Sequence, residues 1–124
     1  KITNNFYQNK RIKVVSFTKK VNLYMDACDL LLTKPGGLSS TEAAVKNIPF
    51  IHTMPIPGCE TKNACFFAKY HMSLKVTNLK DLAIESKKIL NSPKLKKQII
   101  DNQIKYINKN AALDICDYII KSNI

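Results

Sequence analysis

Lys34-Pro35-Gly36-Gly37-Leu38-Ser39 is a stretch suited to receive an anion. An apolar run, DLLLT, precedes it and a helix-forming run, SSTEAAVK, follows, so the glycines fall where a strand passes into a helix. The first turn of a helix leaves its N–H groups without intrahelical partners, and the macrodipole adds roughly half a positive charge there. Gly36 and Gly37 carry no side chain to keep a phosphate from the backbone. With the amides of Leu38 and Ser39 and the ammonium of Lys34 they form a candidate diphosphate seat. Glu42, one turn into the same helix, repels phosphate but is suited to accept two hydrogen bonds from a ribose diol. The same residues also read as a plain turn capped by Ser39 or Ser40, with Glu42 an exposed acid favoured by the dipole.

A second set lies close behind. Pro55-Ile56-Pro57-Gly58-Cys59-Glu60 follows the next apolar strand and opens on the same rim, because ligands of parallel sheets sit beyond the carboxyl ends of the strands. Glu60 and Asn63, at the start of the next helix, offer polar groups that suit sugar hydroxyls. His52 ends a strand and reads as packed or solvated before it reads as a ligand. His71, at a helix end, is accounted for by the dipole. Phe66, Phe67 and Tyr70 at helical spacing read as core or interface. Cys59 reads as a small packing residue, since no histidine stands at a fixed local spacing to activate it.

The elements that must position these groups follow from periodicity. Strands are predicted at Ile12–Phe17, Asp29–Thr33, Pro49–Thr53 and Ser73–Val76, and helices at Lys20–Ala27, Ser39–Lys46 and Glu60–Tyr70, with a loop over Met54–Gly58. Helical stripes then run through Leu79, Leu82, Ala83 and Leu90, through Ile100, Ile104 and Ile107, and through Ala112, Ile115, Cys116, Ile119 and Ile120. The fold class is α/β: a partial doubly wound, Rossmann-like parallel sheet of about four strands with C-terminal helices. Five or six strands are usual for such a sheet. Residues 1–10 resemble the end of a helix whose strand precedes the chain, which begins with Lys1, so an excised piece is expected.

The chain has 124 residues, 45% of them hydrophobic, enough for one domain with a real core and too many for disorder. No apolar run approaches the ~18 residues of a membrane span, and no charged-then-apolar leader opens the sequence. Twenty Lys and Arg against nine Asp and Glu give a net charge of +11. Such an excess points to nucleic acid or an anionic membrane surface, or to nothing beyond a solvated face. Nucleic acid ranks low, because neither zinc-finger spacing nor an RNP-type aromatic motif accompanies the charge. Cys28, Cys59, Cys65 and Cys116 form no Cys-x-x-Cys pair, and with only two histidines they suggest no metal site but free thiols in a reducing cytosol.

DLLLTKPGGLSSTEA and NIPFIHTMPIPGCETKNACFF, in this order and at this separation, resemble the donor-binding domain of GT-B-fold UDP-sugar glycosyltransferases. The likeness is to the group of monogalactosyldiacylglycerol synthase and the bacterial processive diacylglycerol glucosyltransferases, and IKVVSFT fits the strand upstream. The resemblance implies that residues 1–124 are half of a GT-B fold: a C-terminal nucleotide-sugar-binding domain, truncated at its N-terminal side and without the acceptor-binding domain. It implies a diphosphate cradle at Gly36, Gly37, Leu38 and Ser39, a ribose ligand in Glu42, and a donor-sugar ligand in Glu60 assisted by Asn63. Cys59 stands where the family commonly carries Gln, and it cannot match that residue's two-sided hydrogen bonding.

The implied reaction moves a hexose from a UDP-sugar to a lipid such as diacylglycerol, inverting the anomeric centre without metal or cofactor. The general base is expected in the other domain, and the chain alone is expected to be inactive. Its expected place is cytoplasmic, peripheral on the inner face of the cell membrane. The rival expectations are a stand-alone nucleotide-sugar-binding subunit of a split glycosyltransferase and a basic nucleic-acid-binding α/β protein.

Overall fold

The computed structural model describes residues 9–122. In chain order the elements are α1 (Val21–Ala27), β1 (Leu31–Thr33), α2 (Gly37–Val45), β2 (Phe50–Thr53), α3 (Cys59–Lys69), β3 (Leu74–Val76), α4 (Leu79–Leu90), α5 (Pro93–Tyr106) and α6 (Ala111–Lys121). The three strands form one parallel sheet in the order β1-β2-β3, with Leu32 opposite Ile51 and His52 opposite Lys75. This is the α/β, partial Rossmann-like arrangement expected from the alternation of strands and helices.

Alternation along β2 divides the core. Phe50 points to one face, where it meets Ala43 and Ala44 of α2, Phe67 of α3 and Met72. Ile51 points to the other, against Val76, Ile89 of α4 and Ile99 of α5. Both side chains are fully buried, which is why the central strand reads as a continuous apolar run. Burying a phenylalanine of this kind contributes about 2–3 kcal/mol. Gln103 of α5 fastens the layers by donating from Nε2 to the carbonyls of Ile48 and Met72, both at 2.9 Å.

Two helices end in the same device. Asn47 and His71 adopt left-handed φ of 57° and 53°, and the next amides, of Ile48 and Met72, return to the carbonyls of Ala43 and Phe67. These are Schellman closures, so His71 terminates α3 through its backbone.

Several sequence expectations are corrected. Ile12–Phe17 is not a strand: among the described residues the sheet has three strands, and β1 has a ladder partner on one side only. β-branched residues favour strands through packing and pairing. This segment has neither, and Ile12, Val14, Val15 and Phe17 remain exposed. The helix end expected at residues 1–10 falls largely on residues outside those described. α4 turns Leu82 and Ile89 inward and leaves Leu79 and Leu90 exposed. The buried stripe of α5 is Leu95, Ile99 and Gln103, with Ile104 exposed and Ile107 packed on the Phe50 side. The α6 stripe exists as a pattern, yet α6 buries no residue.

Candidate functional site

Strand β1 ends at Thr33, and its last turn before α2 brings Pro35 into the core. Helix α2 begins at Gly37, earlier than expected, so Ser39 and Ser40 lie inside it and cap nothing. The cap position is Gly36, which offers no side-chain acceptor. Gly36 gives its own N–H to the carbonyl of Lys34 at 2.8 Å, while the amides of Gly37, Leu38 and Ser39 find no acceptor among the described residues. Helices α4 and α5 contrast: Asn78 Oδ1 accepts from the amide of Asp81 at 2.9 Å, and Ser92 Oγ from that of Leu95 at 3.2 Å.

The glycines are not required by the fold. Gly36 has ordinary extended angles, φ −69° and ψ 142°. A Cβ on Gly36 would meet nothing within 4 Å, and one on Gly37 would meet only Asn63 Nδ2, at 4.0 Å. Side chains are missing where there is room for them, and the vacant volume lies directly over free amides. That combination suits a bound anion better than a plain turn does.

Helix α3 meets this turn from the side. Asn63 Nδ2 donates to the carbonyl of Pro35 at 2.9 Å, tying the two motifs into one rim. Glu60 Oε2 accepts from the amide of Ile56 at 2.7 Å, and Thr61 Oγ1 donates to the carbonyl of Ile56 at 3.3 Å, so the Pro-x-Pro-Gly loop is folded onto its own helix. Gly58, at φ 107° and ψ −121°, caps α3 in a conformation that needs glycine. The first turns of the two helices differ in charge: α2 has no acid there, and α3 has Glu60. An anion therefore favours α2, and a neutral, hydroxyl-bearing group favours α3.

Lys34 and Glu42 are exposed, and neither side chain has a hydrogen-bond or ion-pair partner among the described residues. Leu38 is also exposed. Cys59 is exposed at the first position of α3, not packed as expected from its type. Two hollows among the described residues lie away from this rim. One of about 260 Å³ is bounded by Ala68, His71, Ser73 and Ile99, and another of about 300 Å³ by Asp26, Lys46, Asn47 and Pro49. Both face the amino ends of the strands. The rim at Gly36 is open, and a ligand there would have these residues on one side only.

Of the two expectations for His52, the packed one holds, with partners that the sequence did not indicate. His52 is fully buried, with Nε2 2.8 Å from Ser40 Oγ and Nδ1 3.4 Å from Ser73 Oγ. The rings of Phe50 and Phe67 stand edge-on to it at 5.0 and 5.5 Å. Period-two alternation was the signal available: His52 shares the face of Phe50 and must therefore enter the α2–α3 layer. Burial pushes its pKa down from 6.5 to about 4, and Ser40, Ser73, Phe50 and Phe67 bring no charge to oppose that. Between pH 6.5 and about 4 the unfolded chain thus binds a proton that the folded chain refuses. Stability from this group is complete above pH 6.5 and falls as pH drops toward 4, by up to about 3 kcal/mol. Thermal unfolding from pH 7.5 to 4.5 should show the decline, and His52→Leu should flatten it. A His52→Leu profile parallel to the parent's would contradict this.

The chain has curated relatives. Over 84 residues, 68% of this chain, it is 33% identical to a processive diacylglycerol beta-glucosyltransferase of Staphylococcus saprophyticus subsp. saprophyticus. Over 66 residues, 53% of this chain, it is 38% identical to the protein of the same name from Staphylococcus aureus strain Newman. These stretches amount to 21% and 17% of the two relatives, so the chain spans about a fifth of the length of the proteins it matches. No protein-family model matches it.

Proposed function

From this kinship with the processive diacylglycerol beta-glucosyltransferases, a GT-B lipid glycosyltransferase group, we propose that residues 1–124 are donor-binding sequence of a UDP-sugar-dependent hexosyltransferase acting on a lipid. The observation that carries the reading is the opening of α2: three free amides beneath an unfilled volume, flanked by the acid-bearing start of α3. In the proposed pose the diphosphate lies on the amides of Gly37, Leu38 and Ser39 near Lys34. Gly36 contributes by lacking a side chain, since its amide is already bonded to Lys34. Glu42 receives the ribose hydroxyls, and the sugar lies toward Glu60 and Asn63.

The chemistry follows from where charge develops. The acceptor hydroxyl attacks the anomeric carbon opposite the leaving group, the C–O bond to the diphosphate breaks, and the configuration inverts. The departing UDP gains negative charge on the oxygen it carries away. In this pose the α2 amides and the Lys34 ammonium stabilise that charge more than they stabilise the intact donor, which lowers the barrier. The proton of the acceptor goes to a base that we place in the N-terminal, acceptor-binding domain. Asn63 and Glu60 each commit one polar atom to holding the rim, so their remaining oxygens are the ones left for the sugar. The excess of lysine would favour an anionic lipid surface, and among the described residues no helix is long and apolar enough to cross a membrane.

The test uses the full-length gene product with labelled UDP-glucose or UDP-galactose and vesicles containing diacylglycerol. A glycosylated diacylglycerol with the anomeric configuration opposite to the donor's is the expected product. Retention of configuration, or the absence of transfer from either donor, would overturn the reading.

A further inference from the structure

We infer that Ser40, His52 and Ser73 form a buried polar clamp that sets the position of the α2 amides, and that Ser40 is a positioning residue for diphosphate binding. The inference rests on the donor-binding reading and adds to it a group that touches no ligand. Ser40 is the residue at which α2 becomes a regular helix: its amide makes the first helical bond, to the carbonyl of Gly36 at 3.1 Å. Its hydroxyl passes the other way into the core and meets His52 Nε2 at 2.8 Å. The three free amides precede it directly, so any roll or slide of α2 at Ser40 re-aims all three.

Ser40 and His52 lie on different elements, α2 and β2, and Ser73 stands just before β3. The chain of contacts therefore runs from the cradle helix to the central strand and on to the next one. Phe50 and Phe67 stand edge-on to the His52 ring, and such apolar contacts are less directional than a hydrogen bond. A hydrogen bond has a preferred length and direction, and a buried hydroxyl that loses its partner is costly, so the pair selects one register. Neutral imidazole has one donor and one acceptor nitrogen, and each serine hydroxyl can answer either, so both contacts are satisfiable without charge.

A serine and a histidine at 2.8 Å also have the spacing of an activated nucleophile. The burial excludes that use: Ser40 and His52 each have no solvent exposure, and no electrophile can approach Oγ without α2 leaving the sheet. What remains is placement.

The experiment titrates the chain with UDP and with uridine, followed by NMR, and compares the parent with Ser40→Ala, each checked for folding by thermal unfolding. A loosened cradle costs the diphosphate and spares the nucleoside. Ser40→Ala should weaken UDP at least tenfold while uridine changes less than twofold, and Ser40→Thr, which keeps the hydroxyl, should recover most of the loss. If Ser40→Ala does not fold, Ser40→Cys, of similar size with a weaker donor, should give a smaller loss of the same selectivity. An unchanged ratio of UDP to uridine affinity in the folded variant overturns the clamp and leaves the donor-binding reading standing. Failure of the parent itself to prefer UDP over uridine overturns that reading, and the clamp with it.

Discussion

Gly36→Asp should fold at least as well as the parent and lose nearly all affinity for UDP. The two effects have opposite signs because they depend on the same amides. At φ −69° and ψ 142°, with nothing within 4 Å of the added Cβ, the position accepts any L residue without strain. Aspartate is a favoured helix cap, and replacing glycine also reduces the freedom of the unfolded chain, so stability should be unchanged or higher by up to about 1 kcal/mol. The carboxylate that caps the helix, however, takes up the donors that the proposed pose gives to phosphate and places a like charge beside it. At the effective dielectric of a protein surface that repulsion is on the order of 2–4 kcal/mol, or roughly 30- to 1,000-fold in affinity. Gly36→Asn separates the causes, since it caps without charge and should lose far less. Melting curves with UDP titration decide the matter. A Gly36→Asp variant that binds UDP as the parent does would show that the anion sits elsewhere.

Glu42→Ala should cost about 10- to 100-fold in UDP affinity with little change in stability. The side chain is exposed and unpartnered among the described residues, and alanine is the better helix former, so the fold has nothing to lose. A ribose diol can donate two hydrogen bonds to one carboxylate, and bonds to a charged acceptor contribute about 1.5–3 kcal/mol each before shared desolvation. Calorimetry with UDP and its 2′-deoxy analogue makes the test specific. The parent should discriminate against the deoxy compound, and Glu42→Ala should not. Equal loss of both ligands in the mutant, with the preference intact, would remove Glu42 from the ribose.

The contrast between α2 and α3 would let one rim serve both halves of the proposed donor. Both helices have glycine at the cap position, without a side-chain cap, after the carboxyl end of a parallel strand. Only α3 carries an acid in its first turn, and that acid folds the Pro-x-Pro-Gly loop back through the amide of Ile56. The positive end of α3 is thereby partly neutralised, and that of α2, with no acid in its first turn, is not.

Much of this was legible along the chain. Short apolar runs, glycine and proline at the turns, and helical spacing between them located α1, β1, α2, β2, α3 and β3 to within a few residues, because each such signal is local. The two glycine-bearing motifs could be recognised for the same reason. The helical stripes of α4 and α5 were misplaced by about one position, since Leu79 and Ile104 match the period as well as Ile89 and Ile99 do. Only the packed neighbours choose between adjacent faces. Ile12–Phe17 has every mark of a strand, and β-branching cannot supply a ladder.

What tertiary structure alone decided is which polar atoms meet. Asn63 reaches the carbonyl of Pro35 across 28 positions, His52 reaches Ser40 across 12 and Ser73 across 21. The residue types were on view from the start, but a hydrogen bond demands a distance near 3 Å and a direction, and no periodicity encodes either. Composition and spacing determined that helix α2 opens bare of side chains; the folding of α3 and β2 around it determined where its amides point.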